Sequence, residues 1–167
     1  MRKTTNTLTS QNQPSSLIRA TAVDDATAIS KMIIRNVDHF HCDNYTAEEL
    51  EIWRRGYSIF EVEKQIQNRQ SFVLEYDEHI AASIQFDAPE IKGFYVDPKC
   101  KGMGFGKTLF NFLLSNLKEN GYNHVELTSN KWTVDFYEKF GFEVIGEEIV
   151  YWEKHPFTEY RMIKKNR

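Results

Sequence analysis

Phe94-Tyr95-Val96-Asp97-Pro98-Lys99-Cys100-Lys101-Gly102-Met103-Gly104-Phe105-Gly106-Lys107-Thr108 is the stretch that decides the fold. Its apolar start, running from Ile91 to Val96, predicts a strand. Asp97-Pro98 ends that strand, because proline cannot donate to a ladder. Leu109, Phe110, Leu113, Leu114 and Leu117 then recur at helical spacing until Asn120-Gly121 closes the helix. His124-Val125-Glu126-Leu127-Thr128 follows as a second strand. Strand, helix and strand in this order predict a parallel pair with a right-handed crossover. Between the first strand and the helix, three glycines free the backbone to turn successive N–H groups toward a ligand. The helix N-terminus behind them adds unpaired donors and partial positive charge. Lys101 and Lys107 add charge at the rim. A phosphate or pyrophosphate suits such a turn.

Working outward, Leu17 to Ala20 reads as a short strand, and Asp24 or Asp25 as the cap of a helix bearing Ile29, Met32, Ile33 and Val37. His39 to Asn44 interrupts the pattern. Thr46 with Glu49, and Ser58 with Glu61, are capping boxes that open two further short helices. Phe72 to Tyr76 and Ile80 to Phe86 read as a hairpin turned by Asp77-Glu78-His79. After the parallel pair, Trp132, Phe136 and Phe140 at spacing four predict a helix ending at Gly141. Phe142 to Ile145 and Phe157 to Ile163 are the last strands. The predicted order is β-α-α-β-β-β-α-β-α-β-β. The fold class is therefore α/β (mixed α+β): a mixed, mostly antiparallel sheet with one parallel pair and helices on both faces.

The chain has 167 residues, which predicts one domain. Residues 1–16 are rich in Thr, Ser, Asn and Gln and too poor in apolar groups to offset their ordering entropy, so they predict a disordered polar tail before a single domain over 17–167. No apolar run resembles a secretory signal or a membrane span, and the expected location is cytoplasmic. Cys42 and Cys100 are too few for a disulfide scaffold and lack metal-ligand spacing. The balance of 21 basic and 24 acidic residues gives −3, which argues against nonspecific binding to nucleic acid or an anionic membrane. The unusual quantity is aromatic content, 14%, whose purpose composition alone does not reveal.

Three phosphate motifs compete for the glycine turn. A P-loop requires G-x-x-x-x-G-K-S/T, but Lys101 stands where its first glycine belongs. A dinucleotide fingerprint requires G-x-G-x-x-G, and Lys107 or Leu109 stands where its third glycine belongs. The pattern Q/R-x-x-G-x-G/A is met by Lys101-Gly102-Met103-Gly104-Phe105-Gly106, with lysine in first place.

With this turn the sequence resembles the GNAT superfamily of N-acetyltransferases. Phe94-Tyr95-Val96-Asp97-Pro98 and the turn look like the family's strand and loop for coenzyme A. Asn130 with Phe136-Tyr137-Glu138-Lys139-Phe140-Gly141-Phe142 resembles the second signature, N-x-x-A-x-x-F-Y-x-x-x-G-F, with Thr133 in place of its alanine. The resemblance covers Leu17 to Lys164. It implies that the parallel strands splay, and that acetyl-CoA is held along Phe94, Tyr95 and Val96. The coenzyme's other contacts are expected at Lys101, Gly102, Met103, Gly104, Phe105, Gly106, Lys107, Asn130 and Tyr137. It also implies an amine acceptor, small-molecule or peptidic, attacking directly in a ternary complex. Tyr137 is the expected general acid for the departing thiol. Glu90 is the expected base, with Glu75 as the fallback. No metal is expected: the ligand types in His39-Phe40-His41-Cys42-Asp43 crowd one loop without a recognised spacing. That loop is expected to line the acceptor pocket with Trp53 and Tyr57. A monomer or homodimer is expected. The alternative is a non-catalytic acyl-CoA sensor of the same fold, which Tyr137→Phe would leave indifferent.

Overall fold

The computed structural model describes residues 15–166. Its elements are β1 (Ser16–Ala20), α1 (Ala26–Phe40), α2 (Ala47–Gly56), α3 (Ile59–Asn68), β2 (Gln70–Tyr76), β3 (His79–Asp87), β4 (Glu90–Val96), α4 (Phe105–Glu119), β5 (His124–Ser129), α5 (Val134–Glu138), β6 (Glu143–Trp152) and β7 (His155–Lys165). Seven strands form one sheet in the order β1-β2-β3-β4-β5-β7-β6. Every neighbouring pair is antiparallel except β4 and β5, which are parallel. Of the predicted polar tail, residues 1–14 lie outside the described residues, and Ser16 already pairs with Tyr76 at the sheet edge.

Each face of the sheet carries its own core. Leu109, Phe110, Leu113 and Leu117 of α4 pack on Leu74, Ala82, Ile84, Val125 and Leu127. On the other face, Ile29, Met32, Ile33 and Val37 of α1 and Val62 and Ile66 of α3 pack on Val73 and Ile80. Alternation along the strands serves both layers: Phe72 and Leu74 join the first core, Val73 the second. Phe110 is the hub of the α4 core, with ring centroids 4.7–6.0 Å from Phe94, Phe136, Tyr137, Phe140 and Phe142.

The helix starts differ in how their caps resolve. Thr46 and Glu49 make the full reciprocal box at α2, at 3.2 and 2.7 Å. Ser58 makes only its half at α3, accepting from the Glu61 N–H at 3.4 Å, because the Glu61 carboxylate lies against Lys64 instead. Asp25 stands at the N-cap of α1 without capping it. Its carboxylate is drawn to the Arg19 guanidinium at 2.7 and 2.8 Å and to the Ala22 N–H. That guanidinium holds the Asp25 carboxyl below its ordinary pKa.

The element order differs from the predicted one by a helix, since α1, α2 and α3 all precede β2 where the predicted order has two helices, and two predicted elements change length. The helix expected over Trp132 to Phe140 shrinks to α5, because the Asn130 side chain accepts from the Trp132 N–H and the Thr133 hydroxyl, both at 3.1 Å, and holds that stretch as a turn. The last two strands grow into a ten- and an eleven-residue hairpin. Glu153 and Lys154 turn it with φ of 50° and 71°, without the glycine or asparagine that usually marks such a turn. β6 is an edge strand whose first five residues are all exposed and whose partly buried positions begin only at Glu148, so its start lacks the alternation that would have announced it.

Phe110→Ala should lower the unfolding free energy in urea by about 3–5 kcal/mol, the usual loss for a fully buried aromatic ring. Phe112→Ala, at a ring 37% exposed on the same helix, should cost less than half as much.

Candidate active site

β4 and β5 are paired only at Glu90 with Glu126 and Ile91 with Leu127. Beyond that point they diverge, while β4 stays on β3 through Val96 and β5 stays on β7 through Ser129. α1 holds the far end of β4: the Asn36 side-chain amide donates to the Val96 carbonyl at 2.8 Å, and Arg35 pairs with Asp97. Inside the wedge, Phe136 of α5 stacks on Phe94 at 5.7 Å. The opening lies at the carboxyl ends of two parallel strands, where open α/β sheets bind their ligands.

The glycine turn meets this opening. Gly102 and Gly104 have φ of 82° and 79°, which side-chain-bearing residues rarely adopt. Gly106 is needed for closeness: a Cβ there would stand 2.9 Å from Val96 Cγ2 and 3.4 Å from Phe94 Cζ. α4 starts at Gly104 without a side-chain cap. The first-turn N–H groups of Phe105, Gly106 and Lys107 therefore have no intrahelical acceptor. Phe105 turns its ring onto Tyr76 at 4.8 Å, so only its N–H faces this task. The Lys101 ammonium sits over the Phe40 ring at 5.5 Å, and Lys107 and Met103 are exposed. A groove of about 910 Å³ continues from Lys107 along α4 and gathers Lys118, Lys139, Lys164 and Lys165.

The opening itself is a cleft of about 480 Å³. Ile91 to Val96 and Leu127 to Asn130 form its two edges, Phe136 and Tyr137 one wall, and Trp53, Tyr57 and Trp152 the other. Asn36, His41, Trp132 and Glu159 complete it. The aromatic wall is continuous: Trp53 lies 5.8 Å from Tyr57 and 4.7 Å from Trp152, and Tyr57 lies 5.2 Å from Tyr95. The Tyr95 hydroxyl donates to the Tyr57 hydroxyl at 2.8 Å.

Glu159 is the carboxylate of the cleft. It stands on β7 opposite Glu148 of β6. Burial, and then the Glu148 charge, push its pKa up to about 7. Burial raises the hydroxyl pKa of Tyr137, and the Glu159 charge raises it further. Tyr45, Tyr57 and Tyr95 are raised by the same two causes among others. Tyr137 therefore stays protonated at neutral pH, while Glu159 titrates there. Two groups set apart in this way can act as acid and base in one site.

The structure gathers most of the residues singled out in the sequence and separates both candidate bases, Glu90 and Glu75. Phe94, Tyr95, Val96, Asn130 and Tyr137 line the cleft. Lys101, Gly102, Met103, Gly104, Phe105, Gly106 and Lys107 form the turn at its mouth. Glu90 is not brought to the cleft: it sits at the closed end of the strand pair, opposite Glu126, and its carboxylate lies against Lys92. The physical reason is direction, since the strands part only after Ile91. Glu75 is held by Arg19 on β2, away from the cleft. Of the stretch His39 to Asp43, Phe40 at the end of α1 and His41 just beyond it line the cleft, with burial lowering the His41 pKa, whereas His39, still within α1, and Cys42 are exposed. Glu159, Trp152 and Asn36 escaped the sequence reading. The signal for Glu159 was its place two residues after Phe157, on the same strand face.

A mixed sheet parted at its one parallel pair, with a glycine-rich helix start at the mouth, defines the class: an α/β fold with a cleft opened between two of its strands. The sequence profile of the acetyltransferase (GNAT) domain matches residues 42–164, and the chain belongs to that family. A stretch of 60 residues is 37% identical to an uncharacterised N-acetyltransferase of Methanocaldococcus jannaschii, covering 34% of this chain and 26% of that protein. The fold is shared with a GCN5-related N-acetyltransferase from Rhodopseudomonas palustris, at a TM-score of 0.83 and 16% identity over 91% of this chain and 96% of that one. It is shared also with the PaiA N-acetyltransferase from Thermoplasma acidophilum, solved with coenzyme A, at 0.75 and 22% over 91% and 99%. Among the described residues, no helix is long and apolar enough to cross a membrane.

Glu159 links the site to stability. Its folded pKa of about 7 lies above its ordinary 4.5, so the native state binds this proton more tightly. Its contribution is fully present below the ordinary value and is lost as pH rises through about 7. Glu159→Gln should therefore melt higher than the parent at pH 8, with the gain vanishing at pH 4, as read by thermal unfolding across pH.

Proposed function

We propose that the protein transfers an acetyl group from acetyl-CoA to a primary amine by direct attack in a ternary complex. The observation that carries this reading is the parted β4–β5 pair: its cleft holds a carboxylate and a tyrosine, and an uncapped helix start packs against its β4 edge at Gly106. The thermoplasmal relative solved with coenzyme A supports it, as does the family to which the chain belongs.

The turn's residues fit the coenzyme. The N–H groups of Phe105, Gly106 and Lys107, with those freed by Gly102 and Gly104, receive the pyrophosphate, and Lys101, Met103 and Lys107 flank it. The diverging edge of β4 at Phe94, Tyr95 and Val96 receives the pantetheine arm, with Asn130 across the gap. One lone pair of the Val96 carbonyl is already taken by Asn36. A backbone N–H of β4 meets the thioester oxygen and stabilises the negative charge that develops on it.

Glu159 takes the role first expected of Glu90. An alkyl ammonium has a pKa of about 10.4 and must lose a proton before it can attack. The Glu159 carboxylate accepts that proton, and the nitrogen lone pair forms the new N–C bond. As the C–S bond breaks, its electron pair leaves on sulfur, and the Tyr137 hydroxyl gives the thiolate a proton. The second proton lost by nitrogen restores Tyr137, directly or through water. The products are an N-acetyl amine and the free thiol.

Acetyl-CoA at about 100 times its Kd should stabilise the protein by about 2.7 kcal/mol in thermal unfolding. Free thiol should appear only when an amine is added. Tyr137→Phe and Glu159→Gln should each lower kcat by about 10²–10⁴-fold while keeping coenzyme affinity. The parent's kcat/KM should rise with pH through about 7, and Glu159→Gln should lose that limb. Unchanged turnover in both variants would remove their assigned roles, and no stabilisation by acetyl-CoA would remove the coenzyme reading.

A further inference from the structure

The acceptor half of the cleft has an unusual balance of groups. Its far wall is the contiguous set Trp53, Tyr57 and Trp152, with centroids 4.7–5.9 Å apart. Among the described residues, the cleft lining includes one carboxylate, Glu159, and one lysine, Lys92. The Lys92 ammonium is paired with Glu90, near the closed end of the strand pair. His41 is kept from protonation by burial. The acceptor half therefore offers a cation both aromatic rings and a carboxylate, and among its lining residues offers an anion only neutral donors such as the Trp53 indole N–H.

We infer that the acceptor is a primary amine carried on an apolar, ring-bearing body without a carboxylate, and that the Trp53–Tyr57–Trp152 wall and Glu159 select it against amino acids and acidic peptides. The inference rests on the acetyl-transfer reading and narrows its substrate. An ammonium is attracted to aromatic rings and to Glu159 alike. A ring on the substrate buries its surface against the same wall. A carboxylate beside the amine would lose its hydration with no unpaired cation in the cleft lining to replace it, and would face Glu159 at close quarters. The wall is also anchored so that it keeps its shape. Trp152 lies so near α2 that a Cβ on Gly56 would stand 2.7 Å from its ring.

Phenethylamine and L-phenylalanine differ only in the carboxylate and form the decisive pair. Initial rates of thiol release from acetyl-CoA should give phenethylamine a kcat/KM at least ~100-fold above that of L-phenylalanine. A neutral peptide with a free N-terminus and a lysine serves as the third acceptor and should fall below phenethylamine. Trp152→Leu should raise KM for phenethylamine roughly tenfold while the Kd for coenzyme A stays unchanged, and that Kd also reports that the variant is folded. Equal rates for the matched pair, or preference for the peptide, overturn this inference and leave acetyl transfer standing. No thiol release with any acceptor overturns both. A Trp152→Leu variant with unchanged KM removes the wall from the selection.

Discussion

The molecule depends on the parting of β4 from β5. Two parallel strands that begin as partners would continue their ladder unless other contacts competed for one of them. α1 supplies the competition: Asn36 takes the Val96 carbonyl, and Arg35 holds Asp97, the residue just past the end of β4. Gly106 then lets α4 settle against Val96 and Phe94, so that the glycine turn stands at the mouth of the gap. Phe136, stacked on Phe94, fills the crotch of the wedge. Unpaired backbone groups along the opened strands are costly if buried and left without partners, which makes the gap a place prepared for a ligand with amides of its own.

The strand-turn-helix-strand core was legible because its signals are local. Period, proline, glycine and leucine spacing all lie within Ile91 to Thr128, and they agree with one another. The second signature, from Asn130 to Phe142, was legible for the same reason. What could not be read was direction and partnership. Glu90 and Glu159 are both strand glutamates, and nothing local distinguishes the closed end of the parallel pair from the open cleft. The β6–β7 hairpin was underestimated because Glu153-Lys154 carries no turn signature and β6 is exposed throughout its first half. Asp25 had the right identity for a cap, and Arg19 outbid the helix for its carboxylate.

The aromatic excess has a structural division. Phe94, Phe110, Phe136, Tyr137, Phe140 and Phe142 form one body beneath α4 and α5. Tyr45, Trp53, Tyr57, Trp152 and Phe157 form another between α2 and the last hairpin. The cleft runs between the two. Glu159 and Tyr137 lie at this seam, where burial raises the pKa of both. For the tyrosine that preserves its proton; for the carboxylate it brings titration to neutral pH. One low-dielectric seam thus prepares a donor and an acceptor at once.

The two sides of the seam are not equally firm. The α4 side is a core of fully buried rings and leucines. The acceptor side is joined by residues about a hundred positions apart in sequence: Arg55 with Glu153, Glu49 with His155, and Trp53 with Trp152. The first of these ion pairs is half exposed on both partners, so water and salt screen it. The cohesion of that side therefore comes mainly from the rings of Trp152 and Phe157 packed on Tyr45, Trp53 and Tyr57. Local opening follows the regions with the fewest buried contacts. By that rule the hairpin tip, where Tyr151, Glu153 and Lys154 are exposed, should open before α4, whose Leu109, Phe110 and Leu113 are fully buried.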